Sequence, residues 1–245
     1  MTAKQHTIRA FNHAMRPLGF ELARSFPSAS SQYVENPEVG SRNFSEKLAR
    51  IERGEPFEWP NMVALNQALK SQIGTAKRVV NIGAGTGTFE WHAASDSDVQ
   101  FTASEFDRDC VAWCKENRAH PNISYCSDTM GELLSEHGEF DLAVSVDVVE
   151  HVADYASFLT ELSALAPRAL ITTPNKARNA KSLANLSPGY EQHVREWTAG
   201  EFYWVLRLFY SDVKLFGMPD VYAPEFAPIG PLSTMTPLLA VCERD

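Results

Sequence analysis

The chain has 245 residues, 44% of them hydrophobic and 22% charged, which suits one sizeable α/β domain with a large core. No run of about 18 apolar residues occurs, so a membrane-spanning helix is not expected. The first residues, with His6, Arg9 and Arg16 among polar neighbours, lack the apolar centre of a secretory signal; the cytoplasm is the expected compartment. The net charge is −9, from 22 basic and 31 acidic side chains. Residues 1–70 hold 9 basic and 7 acidic groups, so the acidic excess lies in the remainder. That excess repels phosphate backbones and argues against long nucleic acids as partners. The four cysteines, Cys110, Cys114, Cys126 and Cys242, fit neither a metal knuckle nor a disulfide framework and read as reduced thiols.

In chain order, residues 1–74 read as a helical N-terminal extension and candidate lid, and residues 75–245 as the main domain. Ile8, Phe11 and Met15 recur at helical spacing. Pro27 to Asn43 is rich in Ser, Pro, Asn and Gly and is expected to be a loop. Phe44, Leu48 and Ile51 then resume a helical stripe that Gly54 can end. Pro60 opens a further helix whose apolar face is Met62, Leu65, Leu69 and Ile73.

From there strands and helices alternate. Strands are expected at Arg78–Ile82, Val99–Ser104, Ile123–Cys126, Phe140–Val146 and Ala169–Thr172. Helices are expected at Phe89–Ser95, Arg108–Arg118 and Tyr155–Ala166, with a short turn near Gly131–Ser135. This alternation predicts a doubly wound, mostly parallel α/β sheet. Thr198 and Glu201 form a capping box that opens a helix bearing Phe202, Val205, Leu206 and Phe209. Strands at Asp212–Phe216 and Leu238–Cys242 follow. The five prolines of residues 217–237 leave no room for a crossover helix, so these two strands should be antiparallel.

The strongest local signal is Val79-Val80-Asn81-Ile82-Gly83-Ala84-Gly85-Thr86-Gly87, an apolar strand running into three alternate glycines and then a helix. Glycines let the backbone turn sharply and approach a ligand closely. The free amides of the following helix start suit a carboxylate or other anion. The spacing is G-x-G-x-G and not the G-x-G-x-x-G of a dinucleotide site, because position 88 is Thr88; a nicotinamide-dependent oxidoreductase is therefore disfavoured. Glu105 ends the second strand, where a carboxylate can accept both hydroxyls of a ribose. Phe106 can stack on a base, and Asp128, after the third strand, can accept from the exocyclic amine of adenine.

Residues 78–197 resemble the class I S-adenosylmethionine (SAM)-dependent methyltransferases, and look closest to the ubiquinone-biosynthesis O-methyltransferases. The resemblance rests on Asn81–Gly87, Glu105, Asp128, Phe140-Asp141-Leu142, Val149-Glu150-His151-Val152 and Thr173-Pro174-Asn175. It implies a seven-stranded Rossmann-like sheet with its last strand antiparallel. It also implies SAM as cofactor, with contacts from Asn81, Gly83, Ala84, Gly85, Gly87, Glu105, Phe106, Asp128, Thr129 and Val146. Asn81 stands where many members carry an acidic residue.

Methyl transfer requires an acceptor held in line with the sulfonium methyl and relieved of its proton. After the fourth strand, Asp147, Glu150 and His151 fall at i, i+3 and i+4, and one helical turn would align them. With His193 they are a candidate site for a divalent ion such as Mg²⁺, Mn²⁺ or Zn²⁺. That set resembles the ligands of RNA 3′-end 2′-O-methyltransferases. Without a metal, His151 or His193 is the candidate general base. Lys176, Arg178, Lys181 and Arg195 suggest an anionic substrate, and Tyr33, Phe57 and Trp59 suggest a lid. Tyr222–Thr236 is a candidate wall of the acceptor pocket. The expected activity is methylation of a small molecule, at a hydroxyl oxygen. An RNA-end methyltransferase and a non-catalytic SAM-binding protein are the alternatives.

Overall fold

The computed structural model describes residues 37–95, 97–178, 188 and 192–245, with side chains from Phe44 onward. The helical spacing of Ile8, Phe11 and Met15, and Tyr33 of the candidate lid, lie outside the described residues. Helix α1 (Pro37–Glu52) and α2 (Pro60–Lys70) precede the sheet. The expected loop to Asn43 is therefore corrected from Pro37 onward. A proline at a helix start forgoes an amide that would have no partner there, and Phe44 and Leu48 are half-buried along the rest of the helix while Ile51 stays exposed.

The chain then alternates through β1 (Arg78–Ile82), α3 (Thr88–Ala94), β2 (Gln100–Ser104), α4 (Arg108–Asn117), β3 (Ile123–Cys126), α5 (Met130–His137), β4 (Leu142–Val146), α6 (Tyr155–Leu165) and β5 (Arg168–Thr173). It ends with α7 (Ala199–Leu206), β6 (Asp212–Gly217), the two-residue β7 (Ala227–Pro228) and β8 (Leu238–Glu243). The sheet runs β3-β2-β1-β4-β5-β8-β6-β7. The first five strands are parallel, and β8 pairs antiparallel with both β5 and β6. The helix-free link thus does produce an antiparallel strand. The sheet has one strand more than expected, because the short β7 pairs with the end of β6.

Successive side chains of a strand face opposite layers. Val80 joins the layer formed by Leu133, Phe158, Leu162, Phe202 and Leu206. Val79 joins the other, against Leu65, Leu69, Phe89 and Ala93. Cys110, Val111 and Cys114 of α4 pack on Tyr125 in a third cluster, and all four cysteines are free thiols. The expected turn near Gly131 is a full helix, nucleated by a capping box in which Thr129 accepts from the amide of Glu132 and Glu132 accepts from that of Thr129. The Thr198–Glu201 box opens α7 in the same way. Among the described residues no helix is long and apolar enough to cross a membrane.

Strand order reverses direction between β1 and β4, and a crevice opens at such a point beyond the carboxyl ends of the strands. Thr173 and Gly217 both lie beside Leu238. The segment between β6 and β8 therefore emerges at the same edge.

Candidate functional site

All three glycines of the loop adopt left-handed backbone, with φ of 75°, 53° and 65° at Gly83, Gly85 and Gly87. Only glycine holds such angles without penalty. Their surroundings differ. A Cβ on Gly83 would lie 2.5 Å from Val148 Cγ2, and one on Gly87 would lie 2.6 Å from the Tyr125 ring, whereas one on Gly85 would meet nothing within 4 Å. Protein packing accounts for the outer two. Among the described residues, Gly85 alone of the three has room on its side-chain face, as a ligand-facing residue should.

Glu105 is buried, and its carboxylate accepts from the amide of Gly85 at 2.8 Å and that of Asp107 at 3.1 Å. Burial raises its proton affinity while these amides oppose the rise. It fastens the second strand to the loop, a task its sequence position does not reveal. Phe106 is 41% exposed, so one ring face is free to stack. The Asp128 carbonyl accepts from the Ser104 hydroxyl at 2.6 Å, which joins β2 to the turn after β3. The Thr129 hydroxyl is engaged with Glu132 at 2.7 Å. Val146 packs against the Leu65–Phe89 layer, and Ala84 against the α4 cluster.

Asn81 is buried, and its amide donates to Glu90 Oε1 at 2.6 Å. Among the described residues, Asn81 Oδ1 and Glu90 Oε2 have no hydrogen-bond partner. Burial pushes the Glu90 carboxyl up to about 7. A buried carboxyl from α3 thus lies directly beside position 81. Glu90 was not singled out in the sequence, where it reads as one polar residue of a short helix.

A second group missed in the sequence joins α1 to the loop. Lys47 Nζ donates to Thr86 Oγ1 at 2.6 Å and pairs with Glu58 at 3.4 Å. Glu58 also accepts from Thr88 Oγ1 at 2.6 Å and pairs with Arg118. Arg118 in turn donates to the Gly87 carbonyl at 3.2 Å. Phe57 stacks on Trp113 with centroids 4.8 Å apart, and Arg118 lies over both rings. Phe57 and Trp59 thereby belong to this cluster, with Lys47 and Arg50 over the Trp59 ring.

At the end of β4 the chain turns through Asp147, whose φ of 52° is the one positive value outside glycine among the described residues. Thr172 of β5 holds it: the Asp147 amide donates to Thr172 Oγ1 at 3.0 Å, and that hydroxyl donates to Asp147 Oδ1 at 2.8 Å. A 3₁₀ turn follows over Val149–His151. Glu150, His151 and His193 bring one ligand atom each to within 4.8 Å of one another. Asp147 is not among them, which corrects the expected four-residue set. The left-handed residue precedes the turn, so the i, i+3, i+4 spacing no longer aligns Asp147 with Glu150 and His151, and Thr172 engages its carboxylate.

Glu150 is fully buried; Oε2 accepts from Thr173 Oγ1 at 3.0 Å, and among the described residues Oε1 has no partner. Burial, then the nearby Asp147 charge, raise its proton affinity strongly. His151 Nδ1 faces the Gln192 carbonyl at 3.0 Å, so that nitrogen carries the hydrogen and Nε2 keeps its lone pair. Burial lowers the His151 pKa. His193 Nδ1 faces Glu196 Oε1 at 2.7 Å, and the two imidazoles meet edge-on at 4.9 Å. The amides of Val194 and Arg195 both donate to the Glu150 carbonyl, at 2.8 and 3.1 Å, and so fasten His193 beside the turn. Val148 connects this cluster to Gly83 of the loop.

Asn175 pins the segment after β6. Its side-chain amide donates to the carbonyls of Ser233 and Met235, each at 2.8 Å, and its backbone amide donates to Thr236 Oγ1 at 3.0 Å. The candidate wall Tyr222–Thr236 is thus fixed at the edge that carries the loop and the Glu150 cluster. Of the expected basic residues, Lys176 and Arg178 form a 3₁₀ turn there, and Lys181 lies outside the described residues.

Residues 59–209 match a family described as "Methyltransferase domain". A ubiquinone biosynthesis O-methyltransferase of Caulobacter sp. (strain K31) is 34% identical over 126 residues, 49% of this chain and 50% of the relative. The chain thus spans about half the length of the curated relatives it matches. Among solved structures, a SAM-dependent methyltransferase of Thermotoga maritima, described as a possible histamine N-methyltransferase, superposes with a TM-score of 0.61 at 14% identity, covering 84% of this chain and 100% of that one. The plantazolicin methyltransferase BpumL, solved with S-adenosylhomocysteine (SAH), gives 0.58 at 12% identity over 98% of this chain and 100% of its own. At such identities the likeness is one of fold.

Proposed function

The chain belongs to the methyltransferase-domain family and has its class I, Rossmann-like fold, and we propose that it transfers the methyl group of SAM to a hydroxyl oxygen of a small molecule. The observation that carries this reading is the contact between Gly83 and Val148. It sets an open-faced glycine loop directly beside a cluster of one buried carboxyl and two oriented imidazoles. The first suits the cofactor, and the second suits removal of a proton from an acceptor. The O-methyltransferase relatives support oxygen as the acceptor atom.

In this reading the Gly83–Gly87 backbone and Glu105 hold the nucleoside, with Phe106 against its base and Asp128 near its amine. The acceptor lies between the loop and the residue 218–237 segment, its oxygen in line with the methyl. His151 Nε2 takes the hydroxyl proton. Its lowered pKa keeps the ring neutral and able to accept near neutral pH. Glu196 steadies His193 alongside. The basic residues Lys176, Arg178 and Arg195 near this edge suit an anionic acceptor.

The orphaned Glu150 Oε1 favours a second reading of the same cluster. Both imidazoles have Nδ1 turned to an oxygen acceptor, the arrangement that orients metal-bound histidines. The donor set of one carboxylate and two imidazoles fits a divalent ion. Glu150, His151 and His193 would hold it, and when bound it would lower the pKa of an acceptor hydroxyl.

Calorimetric titration with SAM and SAH, followed by methyl transfer to a panel of phenols, catechols, aliphatic alcohols and amines, tests the proposal. Binding at micromolar ligand and a labelled ether product are expected. No binding at millimolar SAM would remove the cofactor, and product carrying the methyl on nitrogen would remove the hydroxyl acceptor. Activity that survives exhaustive chelation unchanged would end the metal reading alone.

A further inference from the structure

Lys47 lies on α1, outside the segment matched by the methyltransferase family, yet it reaches the centre of the cofactor loop. An ammonium has three N–H donors. Thr86 Oγ1 takes one and Glu58 Oε2 a second, and among the described residues no oxygen takes the third. The side chain is 15% exposed, so water has little access to that donor. Burial accordingly depresses the proton affinity of Lys47, and the Arg118 charge adds to the effect.

The charges around it do not balance. Lys47 and Arg118 face the single carboxylate of Glu58, both of whose oxygens are already engaged. Of the other nearby acids, Glu90 is bonded to Asn81 and takes up a proton near neutrality, and Glu105 turns its two oxygens to the amides of Gly85 and Asp107. Lys47 and Arg118 therefore share one carboxylate against Thr86, next to Gly85, the one loop glycine whose Cβ position meets none of the described residues. A buried cation with only a shared counter-ion is costly unless an opposite charge arrives. The one anionic group of SAM is the carboxylate of its amino-acid end.

Resting on the SAM reading above, we propose that Lys47 is the counter-ion of the cofactor carboxylate. Helix α1 is then part of the cofactor site, delivering an ammonium that the matched methyltransferase segment does not contain. Glu58 and Arg118 act as positioning residues, which hold Lys47 against Thr86 and leave its third donor for the ligand.

The test compares two ligands that differ at the amino-acid end. SAH carries the carboxylate; 5′-methylthioadenosine lacks the whole amino-acid group. Calorimetry on the wild type and on Lys47→Met should show SAH weakened about 10- to 100-fold, the scale of a charge-assisted hydrogen bond, with 5′-methylthioadenosine unchanged. Lys47→Arg should recover part of the SAH affinity. Equal weakening of both ligands would mean that Lys47 only supports the loop, and unaltered SAH binding would mean that it touches nothing; either result overturns the proposal. Thermal melts of both variants separate these outcomes from misfolding, and Lys47→Arg carries the comparison if Lys47→Met does not fold. A wild-type protein that binds neither nucleoside removes the SAM reading, and this one with it. Binding of both nucleosides with no discrimination by Lys47→Met leaves the SAM reading standing and removes this one alone.

Discussion

The two halves of the functional edge have opposite electrostatics. Around the β1–β3 end, Lys47 and Arg118 converge on Glu58 beside the glycine loop. Around the β4–β5 end, Asp147, Glu150 and Glu196 gather with two imidazoles, and among the described residues neither Asp147 nor Glu150 is ion-paired to lysine or arginine. The first half is suited to an anion such as a carboxylate. The second is suited to a proton or a cation. A methyl donor with an anionic tail and an acceptor that must lose a proton call for this division. The difference also shows how each half is held: side-chain ion pairs and aromatic rings fix the first, while backbone amides and threonine hydroxyls fix the second.

Substitutions in each half can break or sharpen the contrast. His151→Asn should have the largest effect on turnover, a loss of about 10²- to 10⁴-fold, while SAH affinity stays the same. Parallel loss of SAH binding would mean that the halves do not work separately. The loop glycines should divide next. Gly87→Ala meets the Tyr125 ring as well as left-handed strain, and should cost about 3 kcal/mol of stability in chemical denaturation. Gly85→Ala should cost only about 1–2 kcal/mol yet weaken SAH binding more. The reverse ranking would show that Gly85 does not face the ligand.

Glu90→Gln should give a smaller, pH-dependent effect. The folded state raises the Glu90 pKa from 4.5 to about 7, so the folded protein binds the proton more tightly than the unfolded chain. Stability linked to this group is fully present below pH 4.5 and is lost as pH rises through 7. The variant should therefore gain on the wild type with rising pH, by at most about 3–4 kcal/mol once the pH is well above 7. An unchanging difference from pH 4 to 8 would show that Glu90 does not titrate in this window. Phe106→Ala should have the smallest effect, weakening SAH by about 0.5–1.5 kcal/mol with stability untouched, since the ring is 41% exposed.

Much of the frame could be read directly from the chain. Arg78–Ile82 and Ile123–Cys126 are strands at their expected bounds, because short apolar runs between turn residues leave little choice. The helix-free link before Leu238 followed from its prolines. Pro37 was missed as a helix start because the residues after it are polar and the apolar stripe begins only at Phe44. Local spacing places Glu150 beside His151, and the fold brings His193 within 4.8 Å of both. It failed for Asp147, since a positive φ reverses the direction a helical count assumes. Lys47, Glu58 and Arg118 were illegible for another reason: ion pairs 11 and 60 residues apart have no period, and a lysine on a polar helix reads as solvated surface.

The stacked rings of Phe57 and Trp113 have a practical consequence. Trp113 sits beneath the Arg118 guanidinium and edge-on to Phe44 of α1, so its indole samples the same local field as the glycine loop. An intrinsic fluorophore at that spot turns a change around the glycine loop into an optical signal. Ligand entry can then be timed by stopped-flow emission without attaching a dye, and Trp113→Phe provides the blank.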